Sequence, residues 1–425
     1  MAIAPNSLIN AADELEAYYS IHFPTAAPLA KCCFLNTIET TVQPQPDGTT
    51  FVITGDIPAM WLRDSSVQVI NYVPYAADKQ VSDILKGTIA TQVNDICADP
   101  YANAFNAEAN GAGFKDDTKL NPRVWERKFE VDSLCAPIYL AYTFWKETND
   151  VSIFTQTFRK ALDLIYQVFS IEQSHSESEY TFQRYNAPET DTLPCNGKGT
   201  PVNYTGMIWS GFRPSDDRCE YGYLIPSNMM AKVAMMKAAE IYESVYDSYD
   251  DATRCCLLAA EIDGGIRNVG IIDHPEFGEI YAYEADGLGN YHLMDDANVP
   301  SLLSAPYLGY CSADDPIYQN TRKFVLSESN PYYYSGPTAQ GVGSPHTPDG
   351  YIWPIALCIQ ALTSTNRDEI IHCLNELVST HAGTHFMHES FDPNNPENFT
   401  RSWFAWANTL FASLLIKLKN DEFFQ

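Results

Sequence analysis

Apolar residues recur every three or four positions through much of the chain, which is the spacing of one face of an α-helix. The pattern is clear in three segments, with apolar positions at Leu85, Ile89, Val93 and Ile96, at Phe158, Leu162, Ile165 and Phe169, and at Met230, Ala234, Ala238, Ile241 and Val245. About a dozen such segments can be marked. Strand-like alternation is limited to short pieces at 49–55 and 278–287. The pattern therefore predicts an all-α fold with small β decorations.

Three connections between the helical segments, at 99–123, 176–215 and 326–350, are longer than ordinary helix-to-helix loops. They are rich in aromatic residues, as in NPYYYSGPTAQ at 330–340, which argues for ordered contact rather than disorder. No low-complexity linker divides the chain. We therefore expect a single domain over 1–425, a helical barrel whose long loops gather at one mouth and form the site.

Composition and charge narrow the choice of partners. The 425 residues include 26 basic and 54 acidic side chains, a formal net charge of -28, which disfavours nucleic acid and anionic membrane surfaces. No apolar run reaches membrane-spanning length, and the first residues lack the pattern of a secretory signal. The 11 cysteines have no regular spacing and no CxxC motif, which is typical of free thiols. The sequence predicts a cytoplasmic protein that acts as a monomer.

The stretch TGDIPAMWLRDSSVQVINY at 54–72 carries the first candidate site residues, Trp61, Arg63 and Asp64, at the start of a predicted helix. Arg63 and Asp64 have a purely structural interpretation, as an ion pair or a helix cap. The functional interpretation is that a carboxylate and a guanidinium bind the hydroxyls of a sugar, while the tryptophan offers its face to C–H groups.

A pair of aspartates, Asp216 and Asp217, stands in WSGFRPSDDRCEYGYLIPSNMM at 209–230, between a turn and a long apolar segment. One aspartate is enough to cap the helix that follows. We expect one of the pair to act as an acid, while the other caps the helix or holds a sugar hydroxyl or Arg213. A buried position near a second carboxylate would raise the pKa of a proton donor.

The stretch HAGTHFMHESFDPNNPENFTRSWFAWANTLFASLL at 381–415 carries the second carboxylate candidate, Glu389. Its segment is short of basic partners apart from Arg401. His385 and His388 are three positions apart, but HxxHE lacks the third ligand of the known helical zinc motifs. We therefore expect no metal and no other cofactor.

Further candidates for sugar binding come from three other segments, and each also has a structural interpretation. Asp296 and Asn298 lie in YHLMDDANVP, where Asp296 is also a candidate helix cap; Tyr283, in YAYE, is equally suited to the core; and His346, in GVGSPHTPDGYIW, is suited to ordering a loop. The charged residues of WERKFEVDSL, namely Arg127, Glu130 and Asp132, read as inner-wall groups or as a structural ion network, and we leave them out of the catalytic set.

Four of these motifs together resemble glycoside hydrolase family 125, the exo-acting α-1,6-mannosidases: GDIPAMWLRDS, WERKFEVDSLC, GFRPSDD with YGYLIPSN, and HESFD with FTRSWFAWAN. The resemblance spans nearly the whole chain. It implies an (α/α)6 barrel, inversion at the anomeric carbon, no metal, and removal of terminal mannose from the non-reducing end of an oligosaccharide or N-glycan-derived mannoside.

Carried over onto this sequence, the resemblance places the general acid in PSDD, at Asp216 with Asp217 as the alternative, and the general base at Glu389. An inverting hydrolase needs one carboxyl on each side of the sugar, and two neighbouring aspartates cannot supply both. Two other functions stay open. DDRCE at 216–220 matches the DDxxE motif of magnesium-dependent helical diphosphate enzymes, and a non-catalytic mannose-binding protein would keep the sugar-binding residues alone.

Overall fold

The computed structural model describes residues 3–114, 116 and 121–424, so residues 1, 2 and 425 of the predicted domain and part of the 99–123 connection lie outside the described residues. Within that part of the chain helices dominate, as predicted. The α-helices are α1 Asn6–His22, α2 Ala27–Thr40, α3 Leu62–Val69, α4 Lys79–Ala98, α5 Val131–Thr148, α6 Gln156–Glu172, α7 Pro194–Gly197, α8 Ile225–Ser244, α9 Tyr249–Val269, α10 Pro316–Val325, α11 Pro354–Leu362, α12 Arg367–Ser379 and α13 Ala405–Asn420.

Four of the described helices, α4, α6, α10 and α12, begin after a residue whose side chain accepts from their free amide groups. Asp78 accepts a hydrogen bond from the Gln80 amide at the start of α4, and Thr155 accepts one from Phe158 at the start of α6. Proline stands in the first turn of α8, α10 and α11, where its missing N–H costs no hydrogen bond. The apolar face predicted at 85–96 is the face that α4 buries, and the face predicted at 158–169 is buried by α6.

The last helix closes the packing against the first ones. α13 packs on α2, α3 and α11, while α3 packs on α5, α5 on α8 and α8 on α9. The Tyr19 hydroxyl of α1 donates to the Leu415 carbonyl of α13 over 2.7 Å, and both residues are buried. The N- and C-terminal ends of the described chain therefore share one core.

Short strands form six small antiparallel sheets of two or three strands, which confirms the predicted β decorations. Two of these sheets support the site: the order β3-β4-β5 places Trp61 opposite Ala104, and β13 pairs with β14 so that Ser390 faces Thr400. The strands are β1 Val42–Pro44, β2 Thr50–Val52, β3 Met60–Trp61, β4 Ala104–Phe105, β5 Val124–Glu126, β6 Tyr223–Leu224, β7 Ile271–His274, β8 Gly278–Tyr281, β9 Glu284–Ala285, β10 Tyr291–His292, β11 Tyr333–Ser335, β12 Gln340–Val342, β13 Ser390–Asp392 and β14 Asn395–Thr400.

None of the helices in the described ranges combines the length and the apolar character that crossing a membrane requires.

Candidate active site

One pocket, with an empty volume of about 420 Å³, gathers most of the predicted site residues. It lies where the segment before α3, the turn before β6, the connection before α11 and the hairpin before α13 meet. Its lining residues are Thr54, Ile57, Trp61, Arg63, Asp64, Pro214, Ser215, Asp216, Asn298, His346, Trp353, Glu389, Arg401, Phe404 and Trp406.

Trp61, Arg63 and Asp64 reach the pocket because β3 ends where α3 begins. Trp61 is the last residue of β3, and Arg63 and Asp64 stand in the first turn of α3. The Arg63 guanidinium lies 3.4 Å from the Asp64 carboxylate, and burial raises the pKa of Asp64. Asp64 Oδ2 is buried without a hydrogen-bond partner in the described structure. An oxygen in that state is suited to accept a hydroxyl proton from a ligand.

Asp216 stands at the tip of a tight turn. The Arg213 amide donates to the Asp217 carbonyl over 2.8 Å, and the Asp216 amide donates to the Arg213 carbonyl over 2.9 Å. Asp216 has a φ of 68°, in the left-handed region that aspartate tolerates better than most residues. Neither aspartate caps the helix that follows, because α8 begins at Ile225 after Leu224 with no side-chain cap. The predicted cap is therefore wrong.

The Asp216 carboxylate is surrounded by donors and cations. Its Oδ1 accepts from Trp61 Nε1 over 3.4 Å and from Asn103 Nδ2 over 3.2 Å, and Arg63 lies 4.0 Å away. Burial acts to raise the pKa of Asp216, but Lys128, a hydrogen bond from Glu130 and the Arg63 charge outweigh burial and lower it to about 2. This is the opposite of the predicted rise. The pKa that rises well above its ordinary value is that of Glu130, through burial and the Asp216 charge.

Asp217 does not line the pocket and instead binds His346, which does. Its Oδ1 lies 3.2 Å from His346 Nδ1, and its other oxygen is buried without a hydrogen-bond partner in the described structure. Burial acts to lower the pKa of His346, but the hydrogen bond and the charge of Asp217, with the charges of Asp216 and Glu389, raise it to about 9. His346 therefore carries a positive charge at neutral pH and lines the pocket beside both candidate catalytic carboxylates.

Glu389 is placed by the hairpin of β13 and β14. Because Ser390 faces Thr400 in the register, the next residues outward, Glu389 and Arg401, are neighbours at the open end. The Glu389 carboxylate lies 3.5 Å from Arg401 NH1, and Arg401 Nε lies 3.3 Å from Asp56. Glu389 is only 7% exposed, so its carboxylate is largely shielded from solvent and faces the pocket beside a cation.

Asn298 reaches the pocket, but two other candidates do not. Asp296 is fully buried and does not line the pocket. Its Oδ1 accepts from the backbone amide of Asn298 over 3.1 Å and from the Asn298 side-chain Nδ2 over 2.9 Å, so it orients Asn298. Tyr283 is also fully buried, with the Arg213 guanidinium 5.4 Å from its ring centre. Neither residue lines the pocket, so the direct sugar contacts predicted for Tyr283 and Asp296 stay predictions without support from this geometry. No described helix begins near Asn298, so Asp296 is not a helix cap either.

Sequence reasoning missed several residues of the site. Asn103 and Lys128 both hold Asp216: Asn103 Nδ2 donates to its carboxylate over 3.2 Å, and Lys128 Nζ donates to its carbonyl over 2.8 Å. The Arg63 guanidinium lies 5.4 Å from the ring centre of Trp406. Lys128 lies in WERKFEVDSLC and Trp406 in FTRSWFAWAN, so these two motifs could have indicated both residues. Asn103 lies in the long 99–123 connection, which is expected to lie near the site, but no motif singles out this residue.

The pocket brings two carboxyl groups from distant segments beside side chains suited to bind hydroxyls. Such an arrangement can hydrolyse a glycosidic bond and is typical of glycoside hydrolases. A model of the metal-independent α-mannosidases, glycoside hydrolase family 125, matches residues 24–416. The chain belongs to this family.

Two relatives are similar over most of their length. A Streptococcus pneumoniae metal-independent α-mannosidase, solved as a non-productive complex with α-1,6-mannobiose, is 44% identical; the match covers 99% of this chain and 100% of that one with a TM-score of 0.96. The meiotically up-regulated gene 157 protein of Schizosaccharomyces pombe (strain 972 / ATCC 24843) is 42% identical over 418 residues, 92% of this chain and 82% of the relative. The glucoamylase of Saccharomycopsis fibuligera, 11% identical with a TM-score of 0.57 over 97% of this chain and 96% of that one, shares the fold alone.

Proposed function

We propose that this α-mannosidase is an inverting, exo-acting enzyme that removes terminal α-1,6-linked mannose, with Asp216 as general acid and Glu389 as general base. The observation that carries the proposal is that both carboxyl groups line one pocket from separate segments. We also propose that the helices form a single (α/α)6 barrel domain, which is in keeping with the packing of α13 on α2 and α3. A monomeric state and a cytoplasmic location stay predictions.

The proposed reaction uses each carboxyl once. Asp216 gives a proton to the glycosidic oxygen as its bond to the anomeric carbon breaks, and a water attacks that carbon from the opposite face. Glu389 takes a proton from this water. Arg401, 3.5 Å from Glu389, fixes the orientation of the base. The products are mannose of inverted configuration and the shortened glycan.

Five pocket-lining residues are proposed to hold the terminal sugar: Trp61, Arg63, Asp64, Asn298 and His346. A small pocket rather than a long groove favours binding of a chain end, which supports exo action. The specificity for the α-1,6 linkage is inferred from the mannobiose bound by the Streptococcus pneumoniae relative. Incubation with α-1,6-, α-1,3- and α-1,2-linked mannobiose tests this: we expect mannose from the first substrate, and release from none of them contradicts the proposed specificity.

Inversion has its own test. Between an acid and a base that hold a water we expect a carboxyl separation of about 6.5–9.5 Å, against about 5–5.5 Å in a retaining pair. Proton NMR of the first turnovers should then show β-mannose before mutarotation. If α-mannose appears first, the enzyme does not invert, and Glu389 is not the general base that activates the water.

The two alternative functions have little support. In the DDxxE stretch Asp216 and Asp217 bind different partners, and Glu220 is exposed, so the three carboxylates form no common metal site. A purely mannose-binding protein has no use for the acid and the base, yet the pocket contains both candidates.

A further inference from the structure

The Asp216 carboxylate belongs to a largely buried cluster with more carboxyl groups than cations, in which the side chains of Asp191 and Asp216 are 26% and 28% exposed. Arg63, Lys128 and Arg184 supply the positive charges, and their ion pairs reach six carboxyl groups, on Asp64, Glu126, Glu130, Asp132, Asp191 and Asp216. An uncompensated buried carboxylate is costly, and taking up a proton relieves that cost. The cluster is therefore expected to hold at least one proton at neutral pH.

The amide of Asn103 identifies where that proton lies. Its Nδ2 is 3.2 Å from Glu126 Oε2, 3.3 Å from Glu130 Oε1 and 3.2 Å from Asp216 Oδ1. An amide nitrogen carries two hydrogens, so it cannot donate to all three oxygens. Arg184 compensates the charge of Glu126 through its other oxygen, Oε1, at 2.6 Å, so Glu130 and Asp216 are the pair that we expect to share a proton. A proton between the Glu130 and Asp216 oxygens completes the arrangement.

Glu130 is held rigidly and cannot reach the sugar. It is 1% exposed and does not line the pocket. Its Oε2 lies 2.7 Å from Arg63 NH1 and accepts from the Ser133 hydroxyl over 2.7 Å, which leaves Oε1 toward Asn103. The charged groups that face it are Arg63 of α3, Asp132 of α5 and Asp216 of the turn.

We propose that Glu130 is a positioning residue that stores the catalytic proton and passes it to Asp216. The O–H bond on Glu130 Oε1 breaks as an O–H bond on Asp216 Oδ1 forms. Asp216 then gives the proton to the glycosidic oxygen, and solvent restores the proton of the pair after the product leaves. The raised pKa of Glu130 and the lowered pKa of Asp216 agree with this resting distribution. The inference rests on the proposed role of Asp216 as acid.

The test compares two substrates and the pH profile. Glu130→Gln keeps the shape, and its amide oxygen can still accept from Arg63 and Ser133, but it gives up the Asn103 hydrogen bond and cannot store a proton. Asp216 must then hold its own proton beside Lys128, Arg63 and the charged His346. The descending, alkaline limb of kcat/KM for α-1,6-mannobiose should move toward acid by about one pH unit or more, with a loss of about 10-fold or more at neutral pH. With 2,4-dinitrophenyl α-mannoside, whose leaving group departs without a proton, the loss should be less than about 3-fold.

Three controls make the result decisive. Glu126→Gln removes another carboxylate from the same cluster but keeps the Glu130 carboxyl, so any acid shift of its alkaline limb should be clearly smaller than that of Glu130→Gln. Asp216→Asn should lose mannobiose hydrolysis while keeping that of the dinitrophenyl substrate; if it loses both equally, the proposed acid itself is wrong. With the acid established, an unmoved limb or equal losses on the two substrates in Glu130→Gln overturn the proton store alone.

A variant that retracts the carboxyl covers the case in which Glu130→Gln does not fold. Glu130→Asp moves the group away from Asp216 by one methylene. The loss with mannobiose should then exceed the loss with the dinitrophenyl substrate by about 10-fold. Equal losses contradict the proposal, because a structural defect lowers both activities together.

Discussion

At the residue scale, the two neighbouring aspartates have separate tasks. Asp216 faces the pocket at the tip of its turn, whereas Asp217 binds the His346 ring. The left-handed backbone at Asp216 is the kind of unfavourable conformation that persists where the surrounding structure imposes it, and such residues cluster at functional sites. One residue of difference along the chain therefore separates the proposed proton donor from a residue that positions a histidine.

The assignment of acid and base predicts a specific set of losses. Asp216→Asn and Glu389→Gln should each lower kcat for α-1,6-mannobiose by about 100-fold or more, since general acid and base groups contribute at least this much. Mannose binding, measured by calorimetry, should stay within about 3-fold of wild type, because the variants keep the size of the side chain. Asp217→Asn is the matched control. If it loses more turnover than Asp216→Asn, the acid is Asp217.

The charge of His346 predicts a dependence on alkaline pH. Its pKa in the folded protein, about 9, lies above the ordinary 6.5, so protonation stabilises the folded state. That contribution is fully present below about pH 6.5 and is lost as the pH rises through about 9. The stability difference between wild type and His346→Gln, from urea unfolding, should shrink between pH 6 and pH 10. A difference that grows with pH contradicts the Asp217 pairing.

At the scale of elements, small sheets and turns position the site and the helices carry them. β3 delivers Trp61, and the hairpin of β13 and β14 brings Arg401 back beside Glu389. Behind the acid turn, the Trp209 indole stacks on His175 with ring centres 3.4 Å apart. The Trp209 indole of this pair fills the space beside Gly222. A side chain at position 222 would collide with the indole, so a glycine is needed there.

Gly222→Ala is expected to destabilise the protein by about 1–3 kcal/mol, the usual cost of forcing a group into a packed interior. The added methyl would meet the Trp209 indole directly. Gly264→Ala is the matched control, because nothing lies within 4 Å of its added methyl and it stands inside α9. That change should stabilise by about 0.5–1 kcal/mol. Urea unfolding measures the free energy of unfolding of both variants. Equal changes in the two would contradict the prediction and would mean that the Trp209 side chain moves to make room for the methyl group.

Much of the element level could be predicted from the sequence, because the 3.6-residue period directly reports which helix face is buried. The periods at 85–96 and 158–169 gave correct helices. The site was recovered where a motif carried several polar residues together, as with Arg63 and Asp64. Asn103 was missed and the core position of Tyr283 was left open, because contacts between distant segments leave no local pattern.

At the scale of the whole molecule, the net charge of -28 suits a neutral substrate. Three cationic side chains nevertheless lie at the candidate catalytic residues. Lys128, Arg63 and Arg401 all stand within 4 Å of an oxygen of the two candidate catalytic residues. In the described ranges, no group of three or more His, Cys, Asp or Glu side chains is arranged to hold a metal ion.

Activity is accordingly expected to be unchanged by chelators. Dialysis against EDTA should leave kcat and KM for α-1,6-mannobiose within experimental error, since the family is described as metal-independent. The measurement is an assay before and after dialysis, repeated with calcium, magnesium and zinc added back. A loss that one of these ions restores would contradict the prediction.

The closing contact of α13 with α2 and α3 has a consequence for synthesis on the ribosome. The acid turn and its supporting cations are translated before residue 217, whereas Glu389, Arg401 and Trp406 emerge near the end of the chain. A nascent chain therefore has its proposed proton donor long before its proposed base, and the faces of α2 and α3 that α13 covers stay open until then. The pocket is complete only after α13 has docked, because Trp406 of this helix lines it.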